Sequence, residues 1–146
     1  MLGTEPDLVA NEVANGQAQI IFWPVINHGN PSVYASVAME CAGQQNLESA
    51  WDMHKALFED ISVLYTAGLD HYINLANQIG INEDEFVACY GDQATVDHIL
   101  SLDTIRKNRG ITGQPIFDIN GEGLLLGPQP YLVFQDAIEY VISLDE

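Results

Sequence analysis

Two cysteines, four histidines and a scatter of serines and carboxylates are the side chains that could do chemistry in these 146 residues. Their spacing decides what they can do. Cys41 and Cys89 lie 48 residues apart, so neither belongs to a Cys-x-x-Cys pair, in which a helix N-terminus lowers one thiol's pKa and makes it a nucleophile. His28, His54, His71 and His98 are separated by 26, 17 and 27 residues. No two of them share the i, i+3 or i, i+4 spacing that puts two ligands on one helix face, and no metal is expected. Serine, histidine and aspartate are all present, but without the Gly-x-Ser-x-Gly turn that would expose a serine nucleophile. Gly121 and Gly123 fall in a predicted hairpin turn, which lacks the helix N-terminus that phosphate binding uses. No cofactor is expected.

The elements that would position these groups follow from apolar periodicity and breakers. Pro6 suits a first helical turn, and Leu8, Val9 and Val13 follow near helical spacing up to Asn15-Gly16. Gln17 to Phe22 reads as a strand closed by Trp23-Pro24. Asn30-Pro31 reads as a helix start with Asn30 as cap, its apolar face Val33, Val37, Ala38 and Cys41 and its stop at Gly43. Asn46 opens a second helix through Trp51, His54 and Phe58, with Trp51 and Phe58 read as core. Ile61 to Tyr65 fits a helix extension or a loop. Tyr72, Leu75, Ala76 and Ile79 run to Gly80, and Asn82 opens a helix with three acids in its first turn. Cys41 and Cys89 therefore each fall on a predicted helix. Asp92 caps the next, in which Val96, Ile99, Leu100, Leu102 and Ile105 are expected inside, with Arg106, Lys107 and Arg109 near its C-terminal end. A short strand at 116–120 turns at Asn120-Gly121 into Leu124-Leu125-Leu126, and a last amphipathic helix carries Tyr131, Phe134, Ile138, Val141 and Ile142.

Bulk composition narrows the classes. Hydrophobic residues make up 47%, which fits a packed core and excludes a mainly disordered chain. Four basic residues against 21 acidic give a net charge of −17, which argues against nucleic acid or an anionic membrane as partner. The acidity reads as a solvated surface kept soluble by repulsion. No apolar run approaches the roughly 18–20 residues a membrane helix needs. Met1-Leu2-Gly3-Thr4, followed at once by Glu5, Pro6 and Asp7, does not read as a leader.

The most specific stretch is Gly110-Ile111-Thr112-Gly113-Gln114-Pro115-Ile116-Phe117-Asp118-Ile119-Asn120-Gly121. A proline at the mouth of a strand can donate to no ladder, and only X-Pro bonds adopt the cis form cheaply. This pattern resembles the cis-proline loop and terminal hairpin of thioredoxin-like proteins. Phe22-Trp23-Pro24, His28-Gly29-Asn30-Pro31, Ala38-Met39-Glu40-Cys41-Ala42, Trp51 to Phe58 and Phe86-Val87-Ala88-Cys89 resemble the helical insertion of DsbA-like thiol:disulfide oxidoreductases. The likeness runs over roughly residues 17–146.

That resemblance implies an α/β thioredoxin-like fold in a single domain, 1–146, with a helical insertion at about 30–109. It also implies that Gln114 and Pro115 face a substrate groove, and that Cys41 and Cys89 form either a structural disulfide or two buried inert thiols. In the family a strand delivers a Cys-x-x-Cys to the start of a helix, and Glu5 to Asn15 aligns with the tail of that helix. The expectation is therefore a truncated, redox-inactive member whose small sheet lacks its motif-bearing strand. Such a sheet either contracts or takes a strand from a partner, giving a marginal monomer or a homo-oligomer. Three alternatives stay open: a piece of an active enzyme whose dithiol lies upstream, a member of the glutathione-using branch, and a non-redox peptide-binding module. Partners implied are unfolded or cysteine-containing proteins, and the compartment implied is periplasmic or extracytoplasmic.

Overall fold

The computed structural model describes residues 3–59 and 61–144. Met1 and Leu2, on which the leader reading partly rests, lie outside them. In chain order the elements are α1 (Glu5–Leu8), a wider π-helical turn (Val9–Val13), α2 (Asn30–Gln45), α3 (Leu47–Glu59), a 3₁₀ turn (Val63–Tyr65), α4 (Leu69–Gln78), α5 (Glu83–Tyr90), α6 (Gln93–Asn108), β1 (Ile116–Ile119), β2 (Gly123–Leu126) and α7 (Tyr131–Leu144). They fall into two compact units, one made of Met1–Phe22 with Arg109–Glu146 and one of Trp23–Asn108.

The first unit carries the sheet, a two-stranded antiparallel hairpin. Its register pairs Ile116 with Leu126, Phe117 with Leu125, Asp118 with Leu124 and Ile119 with Gly123. Asn120 (φ 50°) and Gly121 (φ 81°) both take the left-handed conformation, which matches the twist of the flanking strands in a tight hairpin turn. The Glu122 amide closes that turn on the Ile119 carbonyl at 2.9 Å. Asp118 secures it from the side: its carboxylate accepts from the Gly121 amide and pairs with Arg109. On one face of the hairpin the Phe117 ring meets Phe134 of α7 edge-on, centroids 4.6 Å apart. Leu8, Phe134 and Val141 are the buried apolar side chains of this unit.

Two contacts between distant parts of the chain tie the N-terminal segment to the C-terminal half. Thr4 Oγ1 donates to the Gln129 carbonyl at 2.8 Å, and the Tyr131 hydroxyl donates to Glu12 Oε1 at 2.6 Å. Glu12 is buried, and its second oxygen has no hydrogen-bond partner among the described residues.

The strand expected at Gln17 to Phe22 does not form. The Gln17 and Ala18 amides both close back on the Glu12 carbonyl, and no ladder bond joins the stretch to β1 or β2. A strand is defined by its neighbour, and apolar residues alone supply none. The sheet is smaller than the sequence suggests for this reason.

The second unit is helical, and α2 is its hub, packing on α3, α5, α6 and the 3₁₀ turn. Val37, Ala38, Cys41 and Ala42 of α2 share a core with Met53, Leu57, Tyr72, Leu75, Ala76, Ile81, Phe86 and Ile99. Gly43 lets α2 and α3 approach closely, since a Cβ there would sit 3.2 Å from that of Ala50. His54 is buried between the Trp51 and Phe58 rings. Tyr72 is fully buried, its hydroxyl has no hydrogen-bond partner among the described residues, and burial first, then Tyr34, pushes that hydroxyl's pKa up. Burial does the same to Tyr90, with Tyr72 and Tyr34 adding to it.

Several boundaries move for local reasons. Asn30 is the first residue of α2 and not its cap; Gly29 stands before it at φ 64° without a side-chain cap bond. The helix runs past Gly43 to Gln45, and Asn46 Oδ1 then accepts from the Ser49 amide at 2.8 Å. On α6, Leu100 and Ile105 face outward while Thr95, Asp103 and Arg106 are buried. The polar residues go inside because each has partners. Asp103 accepts from Arg106 at 2.6 Å, from Lys107 at 2.6 Å and from the Ile26 amide at 3.1 Å. Burial alone would raise the Asp103 pKa, but the hydrogen bonds from Lys107, Ile26 and Arg106, with the Arg106 charge, outweigh it and lower it from 3.8 to about 2. Trp23 Nε1 donates to the Leu102 carbonyl at 2.9 Å, so the start of this unit is stapled to α6 twice. Among the described residues no helix is long and apolar enough to cross a membrane.

Candidate functional site at the proline loop

The loop between α6 and β1 is built by a helix stop and a strand start. Gly110 (φ 74°) ends α6 in the left-handed conformation, as a C-terminal glycine does without steric cost. The chain then passes through exposed Thr112, Gly113 and Gln114 to Pro115. The Gln114–Pro115 peptide is cis. Pro115 is half-buried, and its carbonyl accepts from the Gly127 amide at 2.9 Å, one step beyond the β1–β2 ladder. The hairpin therefore fixes the backbone on the C-terminal side of Pro115, while the Gln114 side chain stands in solvent.

Beside Pro115 lies a small pocket of about 70 Å³, walled by Thr4, Glu5 and Leu8 of the N-terminal segment, Phe117 of β1, Gln129, and Phe134 of α7. Its volume is that of about two water molecules, enough for a small apolar group and not for an aromatic ring. The Thr4–Gln129 hydrogen bond closes one side. The Tyr131 hydroxyl, at the start of α7, is held up at about 12, first by its hydrogen bond to Glu12 and then by burial and the neighbouring acidic charges.

Cys41 on α2 and Cys89 on α5 are bonded to each other, with Cα atoms 5.6 Å apart. Cys41 is fully buried, whereas Cys89 is half-exposed with the Thr95 hydroxyl 3.7 Å from its sulfur. No free thiol remains among the described residues. The two cysteines belong to the helical unit, and Gln114 and Pro115 to the sheet-bearing one. The proline loop thus brings together exposed backbone, a small pocket walled largely by apolar side chains, and the Glu5 carboxylate.

Sequence reasoning singled out Gln114 and Pro115 but missed the N-terminal wall of the pocket and the buried Glu12–Tyr131 pair. One signal was available: Leu8 and Glu12 are i, i+4 on one helical face, so a buried Leu8 carries Glu12 inward with it. Nothing in the sequence marks Thr4 or Gln129.

A family model described as Thioredoxin matches residues 3–139. The chain therefore belongs to the thioredoxin family: a mostly helical domain with a small antiparallel sheet. No curated protein and no solved structure matches it.

Proposed function

We propose that this chain is a DsbA-like thioredoxin domain, related to protein disulfide oxidoreductases, that is redox-inactive as it stands and holds unfolded or cysteine-containing polypeptides beside Gln114 and Pro115. The observation that carries this reading is that the two cysteines lie 48 residues apart on α2 and α5, bridged to each other with Cys41 fully buried, and form no Cys-x-x-Cys pair at a helix N-terminus of the kind that exchanges its disulfide with a substrate. A bound chain at the loop would use the exposed Gln114 backbone for hydrogen bonds, as an added strand does, and could seat one small side chain in the pocket. A structural bridge of this kind favours an oxidising compartment, periplasmic or extracytoplasmic.

Two assays run side by side test the reading. Insulin reduction by dithiothreitol should proceed no faster with the protein than without it, while aggregation of a reduced, unfolded client should be delayed in proportion to the protein added. Accelerated insulin precipitation would show that the domain carries electrons after all. Unchanged client aggregation would remove the binding half of the proposal.

A further inference from the structure

Gln17-Ala18-Gln19-Ile20-Ile21-Phe22 is a strand-like sequence of the sheet-bearing unit that lies outside its two-stranded sheet. Its side chains alternate, with Ala18, Ile20 and Phe22 half-buried and Gln17, Gln19 and Ile21 exposed, which is the two-residue period of a strand. Among the described residues no hydrogen bond engages the backbone of Gln19, Ile20 or Ile21. Ile21 is 73% exposed, a large value for a β-branched apolar residue beside an unpaired backbone.

Proteins blunt such edges with lysine, proline, bulges or a covering element. This one has no charge and no proline between Gln17 and Phe22. The omission matters in a chain of net charge −17, because a second copy carrying the same charge meets least repulsion at a neutral edge.

We propose that Gln17 to Phe22 is a pairing edge for a second copy of this chain, joined in an antiparallel ladder with its two-fold axis at Ile20. That register puts Ala18 opposite Phe22 of the partner subunit, a small side chain against a large one. It puts Ile20 opposite Ile20 of the partner subunit and Gln19 opposite Ile21 of the partner subunit. Every pair then joins residues of the same face, as an antiparallel ladder requires. A one-residue shift would set half-buried side chains against exposed ones. The interface is isologous, so it closes at two copies.

Sedimentation equilibrium on the full chain, from micromolar to sub-millimolar concentration and at low and high salt, tests the interface. The expected result is a monomer–dimer equilibrium that tightens with salt, since screening relieves the repulsion between the two acidic bodies. The Ile21→Pro variant should weaken dimerisation at least about tenfold, because proline removes an amide the ladder needs. It should leave far-UV circular dichroism and melting of the monomer unchanged, because the Ile21 amide makes no hydrogen bond among the described residues. Amide exchange on the wild-type chain localises the contact: Gln19, Ile20 and Ile21 should be unprotected in dilute solution and protected in concentrated solution. A monomer throughout, a dimer as tight in Ile21→Pro as in wild type, or a dimer whose Gln19 to Ile21 amides exchange as fast as the monomer's would each overturn the proposal. So would a wild-type chain that stays monomeric but protects these amides only when an unrelated strand-forming peptide is added.

Discussion

The two units spend their apolar residues differently. The helical unit buries a continuous cluster from α2 through α6, holds a covalent bridge there and compensates the buried Asp103 carboxylate with two cations and an amide. The sheet-bearing unit buries Leu8, Phe134 and Val141, leaves Leu124, Leu126, Leu132 and Tyr140 at least half exposed, and buries Glu12 with one oxygen unpartnered among the described residues. A lone hairpin is marginal in water until a third strand or a helix covers it, and here α7 covers one face through Phe134. The contrast teaches that one chain can pack its helical part well while the part that carries the proline loop stays sparsely held.

The largest expected effect tests the better-packed unit. Replacing both cysteines, Cys41→Ala with Cys89→Ala, opens a loop of 48 residues and should cost about 4 kcal/mol in the chain-entropy account, read as a fall in the denaturant midpoint. Native-state amide exchange sharpens the comparison. Amides of α2 and α5 should lose protection in the double variant, and in the wild type they should exchange more slowly than those of Phe117 and Leu125. Hairpin amides that outlast those of α2 would break the contrast.

An intermediate effect comes from acid. Asp103 titrates at about 2 in the folded chain against an ordinary 3.8. A lowered carboxylate pKa stabilises fully above 3.8, and that contribution is lost as pH falls from there to about 2. The amount is about 2 kcal/mol. Urea midpoints measured down that range should fall for the wild type. They should fall less steeply for Asp103→Asn, which is weaker at neutral pH because Arg106 is left buried without its carboxylate.

The smallest effect sits at a helix end. Asn82 Oδ1 accepts from the Glu85 amide at 2.9 Å at the start of α5, so Asn82→Ala should cost about 1 kcal/mol. Its backbone also exchanges two hydrogen bonds with the Gln45 side chain at the end of α2. Those survive the substitution, and a loss well beyond 1 kcal/mol would mean that α5 depends on its cap more than on the core behind Phe86.

Much of this is legible in the sequence. Asn82, Asp92, Gly80 and Gly110 mark ends of helices because their side chains or left-handed backbones satisfy groups that a helix leaves open. Asn120-Gly121 marks the hairpin for the same kind of local reason. What could not be read was anything that depends on a distant partner. Gln17 to Phe22 has the composition of a strand and lacks the neighbour. Leu100 and Ile105 looked like core, yet Asp103 and Arg106 took the inside because Ile26 and Lys107 come to meet the carboxylate. The proline loop was legible through Pro115, and its pocket was not, because Thr4 and Gln129 meet across more than 120 residues.

The chain's route has a consequence for synthesis. The sheet-bearing unit is assembled from both ends of the sequence, with Thr4 waiting for Gln129 and Glu12 for Tyr131. On the ribosome the helical unit emerges whole while its opening segment has nothing to close upon. For that interval the nascent polypeptide displays Gln17 to Phe22 and the uncovered α1 to whatever is nearby, so shielding during translation matters more for this end of the molecule than for its middle.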